Sequence, residues 1–263
     1  MRGGIVWKGY AAVRPRRIFP ALSSYQAPSD DSSCRLIPGG SSPQPLMCDR
    51  LPKLILASRS PRRRELLLQA GYPFEVRPPE EAVEYGLGHR SEGVVSGESP
   101  AELVARLASQ KAADVARNSP SGLILGCDTV VECRGKILGK PADRDHAREM
   151  LRALSGREHR VLSGLCLWRV SDGRSLIRVA ATTLRMDQLT DEQLDEYLAS
   201  GAWQGKAGAF GYQDRLGWVH VIEGSESNVV GLPLELLAEM LAQFEAENGP
   251  LAADHPRNTN RGA

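Results

Sequence analysis

The order of apolar and polar residues between positions 53 and 246 switches repeatedly between the period of a strand and that of a helix. Continuous apolar runs at 54–56 and 123–125 are typical of strands that are buried on both faces. Helical spacing gives one apolar face of Val104, Leu107, Ala108, Ala112 and Val115, and another of Ala147, Met150, Leu151 and Leu154. This alternation predicts a domain of mixed strands and helices, with four or five helices.

Capping residues indicate where the helices begin. Ser60 followed by Pro61 suits an N-cap and a first helical position, and Gly71 is placed to close that helix. Capping signals recur at 99–102, where Ser precedes Glu by three residues, and at 190–193, where Thr precedes Gln. Each of these three signals precedes an apolar face, so each predicts a helix.

Turn signals predict how the strands pair. Residues 171–174 separate two long strand-like runs at 159–170 and 177–187, and a second turn is expected at 134–135. Both turns favour antiparallel neighbours, which argues against a doubly wound parallel sheet. The run 224–228 is either a polar pocket edge or a plain loop before the last helix, and the plain loop is the preferred interpretation. The predicted fold class is therefore α/β (α+β) with a mixed β-sheet.

Basic residues gather where the first strand meets the first helix. Free N–H groups at a helix start attract anions, and Arg59, Arg62, Arg63 and Arg64 add charge that can bind phosphate oxygens in forked geometry. The alternative is a solvated helix face, since three consecutive arginines cannot all point one way. The residues alone leave both interpretations open.

An acidic residue interrupts the apolar run that starts at Leu123. Asp128, in GCDTVV, would be buried by a strand, which is costly unless the carboxylate is paired or binds a metal. It is the best candidate for a catalytic residue. A hairpin after it would bring Lys140, in GKP, back toward the same end. The alternative interpretation is a structural ion pair.

Six segments together resemble the Maf family of nucleoside triphosphate pyrophosphatases. They are ASRSPRR, GCDTVV and GKP, with LSGREHRV at 154–161, KAGAFGYQ at 206–213 and VVGLPLELL at 229–237. The resemblance covers residues 53–245, and the segments occur in the family's order. It implies an elongated mixed sheet flanked by helices, Maf/ITPase-like, with two lobes around a nucleotide-binding cleft. It also implies a homodimer.

The resemblance assigns roles to single residues. Asp128 matches the family's proposed general base, with Lys140 beside it. The matched positions expected to bind substrate or set specificity are Ser58, Arg62, Arg63, Thr129, Lys206 and Gln213. The GAFGYQ string ending in Gln213 resembles the branch of dTTP/UTP pyrophosphatases. Asp214 and Arg215 depart from the pattern, because a glycine often follows the glutamine in the family.

The reaction implied is hydrolysis of the α–β phosphate linkage of dTTP, UTP or modified nucleotides, which cleans the nucleotide pool. A divalent cation, Mg or Mn, is the expected cofactor, and Asp128 either holds it or acts on the attacking water. Glu80, Glu81 and Glu84 fall where the family carries an acidic pair, and Glu81 is the candidate metal ligand. The alternatives are a 7-methyl-GTP pyrophosphatase and a non-catalytic nucleotide-binding regulator of cell division.

Two more residues have an ordinary interpretation beside a functional one. Lys111 lies on or beside an apolar helix face, where a snorkelling lysine is common, although it would also reach a cleft. His159 matches a family position, yet a lone histidine at a strand start is more often structural. Neither is predicted to be catalytic.

Composition narrows the function classes. The net charge of +1 gives no general attraction to nucleic acid, and 41% hydrophobic residues suit a folded core. Five cysteines without framework spacing predict reduced thiols in a cytoplasmic protein, and they form no zinc motif. No apolar run approaches the length that spans a membrane. A protein that binds neither membrane nor nucleic acid is expected.

The ends of the chain differ from its middle. Residues 1–50 are rich in Ser, Pro and Arg and are predicted to be a disordered leader, either a targeting segment or the product of a misassigned start, with Met47 as the true start. Residues 53–246 are predicted to form the nucleotide pyrophosphatase domain. Residues 247–263 are predicted to be a disordered tail.

Overall fold

The computed structural model describes residues 54–85, 97–214 and 216–246, and the predicted leader, the predicted tail and Arg215 lie outside them. The strands are β1 (Leu54–Ala57), β2 (Phe74–Val76), β3 (Leu123–Cys133), β4 (Lys136–Leu138), β5 (Glu158–Arg169), β6 (Ser175–Met186) and β7 (Val219–Glu223). The helices are α1 (Pro61–Gln69), α2 (Glu81–Tyr85), α3 (Pro100–Arg117), α4 (Arg144–Leu154), α5 (Asp191–Ala199), α6 (Glu226–Val230) and α7 (Leu234–Ala246). Of these described helices, five have nine residues or more, and α2 and α6 are short.

The strands form one mixed sheet of seven strands in the order β2-β1-β3-β5-β6-β7, with β4 paired to β3 as well. β1 runs parallel to β2 and β3, whereas the other pairs are antiparallel. Both predicted hairpins are confirmed. Arg134 and Gly135 have φ of 53° and 75°, the backbone of a tight two-residue hairpin turn between β3 and β4. The mixed α/β fold class is confirmed.

Strand β3 changes partner along one of its edges. It pairs with β1 as far as Gly126, and with β4 from Val131 onward. The four residues between, 127–130, are outside both of these described pairings. Strand order changes at this point, and such changes leave a crevice where the neighbouring loops diverge. The two loops here follow β1 and β4, and they carry the predicted arginines and Lys140.

The two faces of the sheet are covered differently. Helix α3 packs on one face, against Ile124, Val130, Leu162 and Cys166. On the other face, α1 and α7 bury Leu54, Leu125 and Leu165 at one end, while α4 and α5 bury Val131, Val161 and Leu184 at the other. Successive side chains of a strand point to opposite faces. Thr129 therefore lies between the two clusters of the second face, and Asp128 faces α3.

The prediction of a plain loop at 224–228 is wrong, because helix α6 begins there. The Ser225 side chain caps the helix by accepting the backbone N–H of Asn228, and the buried Asn228 amide donates to Val161 O and Thr182 Oγ1. A fully buried side chain that bonds to both β5 and β6 fixes this short segment against the sheet. Such long-range partners leave no periodic signal in the sequence.

Two further predictions, on membrane-spanning segments and on cysteines, can be compared with the structure. Within the described residues, none of the helices combines the length and apolarity needed to cross a membrane. Cys127, Cys133 and Cys166 are buried free thiols, and burial raises the pKa of Cys166 to about 12. These three cysteines are therefore packing residues with little thiolate character.

Candidate functional site

Arg63 is a buried side chain beneath the crevice, and it connects three elements. Its Nε donates to Gly231 O at 2.8 Å, Nη1 donates to Ser58 Oγ at 2.9 Å, and Nη2 donates to Thr129 Oγ1 at 3.1 Å. The side chain points inward because Ser60 caps α1 and accepts the backbone N–H of Arg63. One guanidinium thus links the end of β1, the end of α6 and the centre of β3. Only Arg has enough donors in a fixed plane to make these three contacts.

The neighbouring arginines point in different directions. Arg62 lines the pocket and donates to Gly205 O at 3.3 Å, while Arg64 is exposed. Burial lowers the pKa of the Arg62 guanidinium, Arg63 lowers it further, and Asp214 partly offsets both. The basic run therefore divides between two environments, and phosphate binding by the residues in the pocket stays a prediction. Arg62 and Arg63 reach the pocket, and Arg64 belongs to a solvated face.

Asp128 belongs to a buried cluster of two carboxylates and one ammonium. Lys111 Nζ lies 2.8 Å from Asp128 Oδ1 and 3.4 Å from Glu84 Oε2. Lys111 is only 4% exposed and Glu84 9%. The Glu84 Oε2 atom is buried and accepts no hydrogen bond from the described residues. A buried carboxylate oxygen without a donor is costly unless a cation or a ligand satisfies it.

Lys140 lines the same pocket as Glu84 and is electrostatically coupled to the cluster. The hairpin at 134–135 reverses the chain, and Lys140 follows β4 and lines the pocket. Burial lowers the pKa of its ammonium, the charges of Lys111 and Arg63 lower it further, and Glu84 and Asp128 partly offset them. The predicted proximity of Lys140 to Asp128 agrees with this electrostatic coupling.

A second lysine anchors the segment that carries Gln213. Lys206 Nζ donates to Asp214 Oδ2, which also accepts the Tyr197 hydroxyl at 3.1 Å. A Cβ atom on Gly211 would lie 2.5 Å from Lys206 Nζ and 2.7 Å from Asp214 Oδ2, so a larger residue there would displace the ends of this ion pair. Lys206 and the exposed Gln213 both line the pocket. Asp214, a departure from the expected pattern, is thus the counterion of a pocket lysine.

These groups surround one cavity of about 340 Å³, which lies within the range of small-molecule sites. The predicted residues that line it are Arg62, Arg63, Thr129, Lys140, Lys206 and Gln213, and Glu84 lines it as well. Ser58 and Asp128 are not among the residues that line the cavity. Ser58 accepts a hydrogen bond from Arg63, and Asp128 is linked to Glu84 by the ammonium of Lys111. The pocket therefore has a wall of five cationic side chains, Arg59 included, and a carboxylate cluster at its edge.

A model of the Maf family, described as "Maf-like protein", matches residues 53–244 of the chain. This chain belongs to the Maf family. A dTTP/UTP pyrophosphatase of Rhodopirellula baltica is 53% identical over 210 residues, which are 80% of this chain and 87% of that protein. Proteins of the same name from Symbiobacterium thermophilum (46% over 193 residues, 73% and 94% of the chains) and Anaeromyxobacter dehalogenans (43% over 208 residues, 78% and 99%) are also similar.

The acidic residues of this Maf-family chain are not equivalent. Glu81, the predicted metal ligand, is exposed, and its Oε1 lies 3.9 Å from Arg59 Nη1. Glu84, one turn further along α2, is the glutamate that faces Lys111. The sequence could not separate them, because the choice depends on how α2 lies against α3. Glu84, and not Glu81, therefore belongs to the cluster with Lys111 and Asp128, and which glutamate binds a metal stays a prediction.

Lys111 belongs to this cluster, although its sequence pattern did not predict a functional role. Its signal was a lysine on the apolar face of α3. The ammonium is buried by the carboxylates of Asp128 and Glu84 rather than extended to solvent. The acidic partners that accommodate a lysine at this core position are Asp128 and Glu84.

His159 is buried beside the site, and it predicts a loss of stability in mild acid. It is 3% exposed, packs edge-to-face on Phe210, and its Nε2 has no hydrogen-bond partner among the described residues. Burial lowers its pKa to about 4, against an ordinary value of 6.5. As the pH falls below 6.5 the unfolded chain binds this proton first, so stability falls until about pH 4.

Urea unfolding at pH 7.5 and pH 4.5 tests this prediction. The His159→Leu variant should lose roughly 2–3 kcal/mol less stability over this interval than the wild type. The His220→Gln variant is the matched control, because His220 is exposed and lies 2.9 Å from Asp187. Equal losses in wild type and His159→Leu would contradict the assignment.

Proposed function

We propose that this protein is a nucleoside triphosphate pyrophosphatase that hydrolyses dTTP and UTP to the monophosphate and pyrophosphate. The observation that carries the proposal is the cluster of Asp128, Lys111 and Glu84 at the edge of a pocket lined by Arg62, Arg63, Lys140 and Lys206. A cationic wall suits a polyanionic triphosphate, and an adjacent carboxylate suits the activation of water. The names of the three relatives support the substrate.

In the proposed mechanism, the triphosphate lies against the cationic wall with the α–β linkage near Asp128. Water attacks phosphorus, its proton passes to the Asp128 carboxylate, and the bond between that phosphorus and the bridging oxygen breaks. Lys111 holds Asp128 in place through the 2.8 Å contact. Arg62 and Lys140 neutralise charge that develops on the phosphate oxygens. Such positioning and electrostatic stabilisation supply most of the rate in phosphoryl chemistry.

A divalent cation, Mg²⁺ or Mn²⁺, is part of this proposal. The described residues contain no group of three His, Cys, Asp or Glu side chains placed to hold a metal. Two carboxylates are nevertheless sufficient for Mg²⁺, which commonly takes its other ligands from substrate phosphates and water. Asp128 and Glu84 fit that role, since Glu84 Oε2 accepts no hydrogen bond from the described residues and has only the ammonium of Lys111 near it at 3.4 Å. When bound, the cation would neutralise phosphate charge and lower the pKa of a coordinated water.

The preference for dTTP and UTP is proposed from Gln213, together with Thr129 and Arg62. A carboxamide both donates and accepts, so it complements the alternating acceptors and donor on the edge of uracil or thymine. Gln213 faces the pocket on the segment that is anchored by Lys206 and Asp214. A site that matches polar groups of one base discriminates strongly against a base that leaves them unpaired.

The test is pyrophosphate release from dTTP, UTP, CTP, GTP, 7-methyl-GTP and ATP with Mg²⁺ or Mn²⁺. We expect kcat/KM for dTTP and UTP to exceed that for each other nucleotide by at least about tenfold. A higher kcat/KM for 7-methyl-GTP would move the protein to the alternative substrate class. No turnover of any nucleotide by folded protein would favour a binding regulator and refute the enzyme.

Three further expectations remain predictions beside this proposal. They are a homodimer in solution, a cytoplasmic location and no function in nucleic-acid binding. A sedimentation measurement of the purified chain would test the first. The formal net charge of +1 supports the expectation that the protein does not bind nucleic acid, since a nucleic-acid-binding protein of this size ordinarily carries an excess of basic residues.

A further inference from the structure

Asp114 is a buried acid on the helix face that carries Lys111. It lies three residues further along α3 and is only 4% exposed. Its Oδ2 accepts the backbone N–H of Glu80 at 2.9 Å, and its Oδ1 accepts from Arg117 Nη1 at 3.0 Å. The Arg117 side chain is 72% exposed, so that ion pair contributes little. The partner that accounts for burial of this carboxylate is the Glu80 amide.

Glu80 is the residue on which helix α2 is built. Its carbonyl oxygen accepts the N–H groups of Val83 at 3.0 Å and Glu84 at 2.9 Å. A helix of five residues is far too short to be stable by itself. Its conformation must therefore come from contacts with the rest of the protein. The Asp114 contact fixes the first peptide of this turn, and Lys111 meets its last part at Glu84.

The same two-point attachment explains why Glu84 can be held although its Oε2 accepts no hydrogen bond from the described residues. Lys111 Nζ is 3.4 Å from Glu84 Oε2, which is an electrostatic contact without hydrogen-bond geometry. A contact of that length does not fix the carboxylate alone. The hydrogen bond at Asp114 restricts the backbone that carries it, as supporting contacts around a catalytic site commonly do.

We propose that Asp114 is a positioning residue that holds Glu84 in the cluster with Lys111 and Asp128 by accepting the Glu80 N–H. The proposal rests on the pyrophosphatase function, because it gives Glu84 a place in that reaction. Asp114 itself does not touch the substrate. Its carboxylate acts through the backbone of residues 80–84. Because Lys111 and Asp114 both lie on α3, this helix fixes the spacing between them.

The kinetic test compares Asp114→Ala, Asp114→Asn and Arg117→Ala. Alanine removes the acceptor, whereas asparagine keeps an oxygen that can accept the Glu80 N–H. We expect Asp114→Ala to lower kcat for dTTP roughly tenfold to a hundredfold with little change in KM, as expected for a misplaced catalytic group. Asp114→Asn should recover most of kcat, and Arg117→Ala should match the wild type. Wild-type kcat in Asp114→Ala, or an asparagine variant as defective as alanine, would overturn the proposal.

A hydrogen–deuterium exchange measurement tests the contact without any use of activity. In Asp114→Ala the amides of Val83 and Glu84 should exchange faster than in wild type, while those in the middle of α3 should not. Unchanged exchange at 80–85 would overturn the positioning proposal, even in an active enzyme. A wild type that hydrolyses no nucleotide would refute the proposed function, and the exchange result would still decide the role of Asp114.

Discussion

We expect the Asp128→Asn variant to hydrolyse dTTP with a kcat roughly two to four orders of magnitude below that of the wild type. Asparagine keeps the size of the side chain but cannot take a proton from water at neutral pH. It also loses the charge that pairs with Lys111 at 2.8 Å. Both losses act on the chemical step, so kcat should fall much more than affinity for the nucleotide. Pyrophosphate release and nucleotide binding, measured side by side, separate the two.

A matched control lies on the same strand and the same face. Glu132 is four residues along β3, and it accepts from Arg160 Nε at 2.8 Å and from Gly135 N at 2.7 Å. Glu132→Gln removes a partly buried carboxylate from the strand without touching the pocket. Its kcat should stay near that of the wild type. An Asp128→Asn variant that kept more than about a tenth of the wild-type kcat would contradict a role for Asp128 in catalysis.

The Glu84→Gln variant should show a smaller loss than Asp128→Asn, because the amide leaves Asp128 and Lys111 in contact. Glu81→Gln is its matched control on the same helix, since Glu81 is exposed and contacts Arg59. The difference between these two variants would decide which glutamate belongs to the site. Equal losses in both would argue that general acidity of α2, rather than the position of Glu84, supports activity.

The sequence predicted the parts of this fold and site whose signals are local. The cap at Ser60, the turn at Arg134 and Gly135, and Asp128 within an apolar run each depend on a few neighbouring residues. Local signals also predicted that Lys140 returns toward Asp128, because a hairpin fixes the direction of the chain. Most residues that line the pocket were predicted from the resemblance to the Maf family, and local signals alone did not identify them.

The features of the fold and the site that could not be predicted from the sequence depend on how separate elements pack. Lys111 became a partner of Asp128 because α3 lies close to β3, and Glu84 was selected over Glu81 by the same packing. The helix at 226–230 is held by Asn228, whose partners Val161 and Thr182 are distant in sequence. No short-range pattern encodes such contacts, although glycines within strands indicate where an element approaches closely.

Gly126 and Gly164 permit that close approach of α3, so adding one methyl group should be severe. A Cβ on Gly126 would lie 2.2 Å from Ala108 O and 3.0 Å from Ala112 N. One on Gly164 would lie 2.2 Å from Val104 O. Backbone atoms of a packed helix cannot turn aside as a side chain does. We expect each alanine variant to lose roughly 3 kcal/mol of unfolding free energy, at the upper end for overpacked cores.

The Gly126→Ala variant should also lose activity beyond its loss of stability. The helical turn that the methyl group would displace, from Ala108 to Ala112, carries Lys111, and Asp128 lies two residues along β3 on the same face. A shift of about 1 Å at a catalytic contact costs up to about a hundredfold in rate. We therefore expect kcat for dTTP to fall by more than tenfold in protein that is still folded, as judged by circular dichroism at the assay temperature.

Ala181→Val, on an exposed position of β6, is the control for a larger side chain on a strand. If Gly126→Ala kept wild-type kcat and wild-type unfolding energy, the close contact between α3 and β3 would not be what places Lys111 beside Asp128.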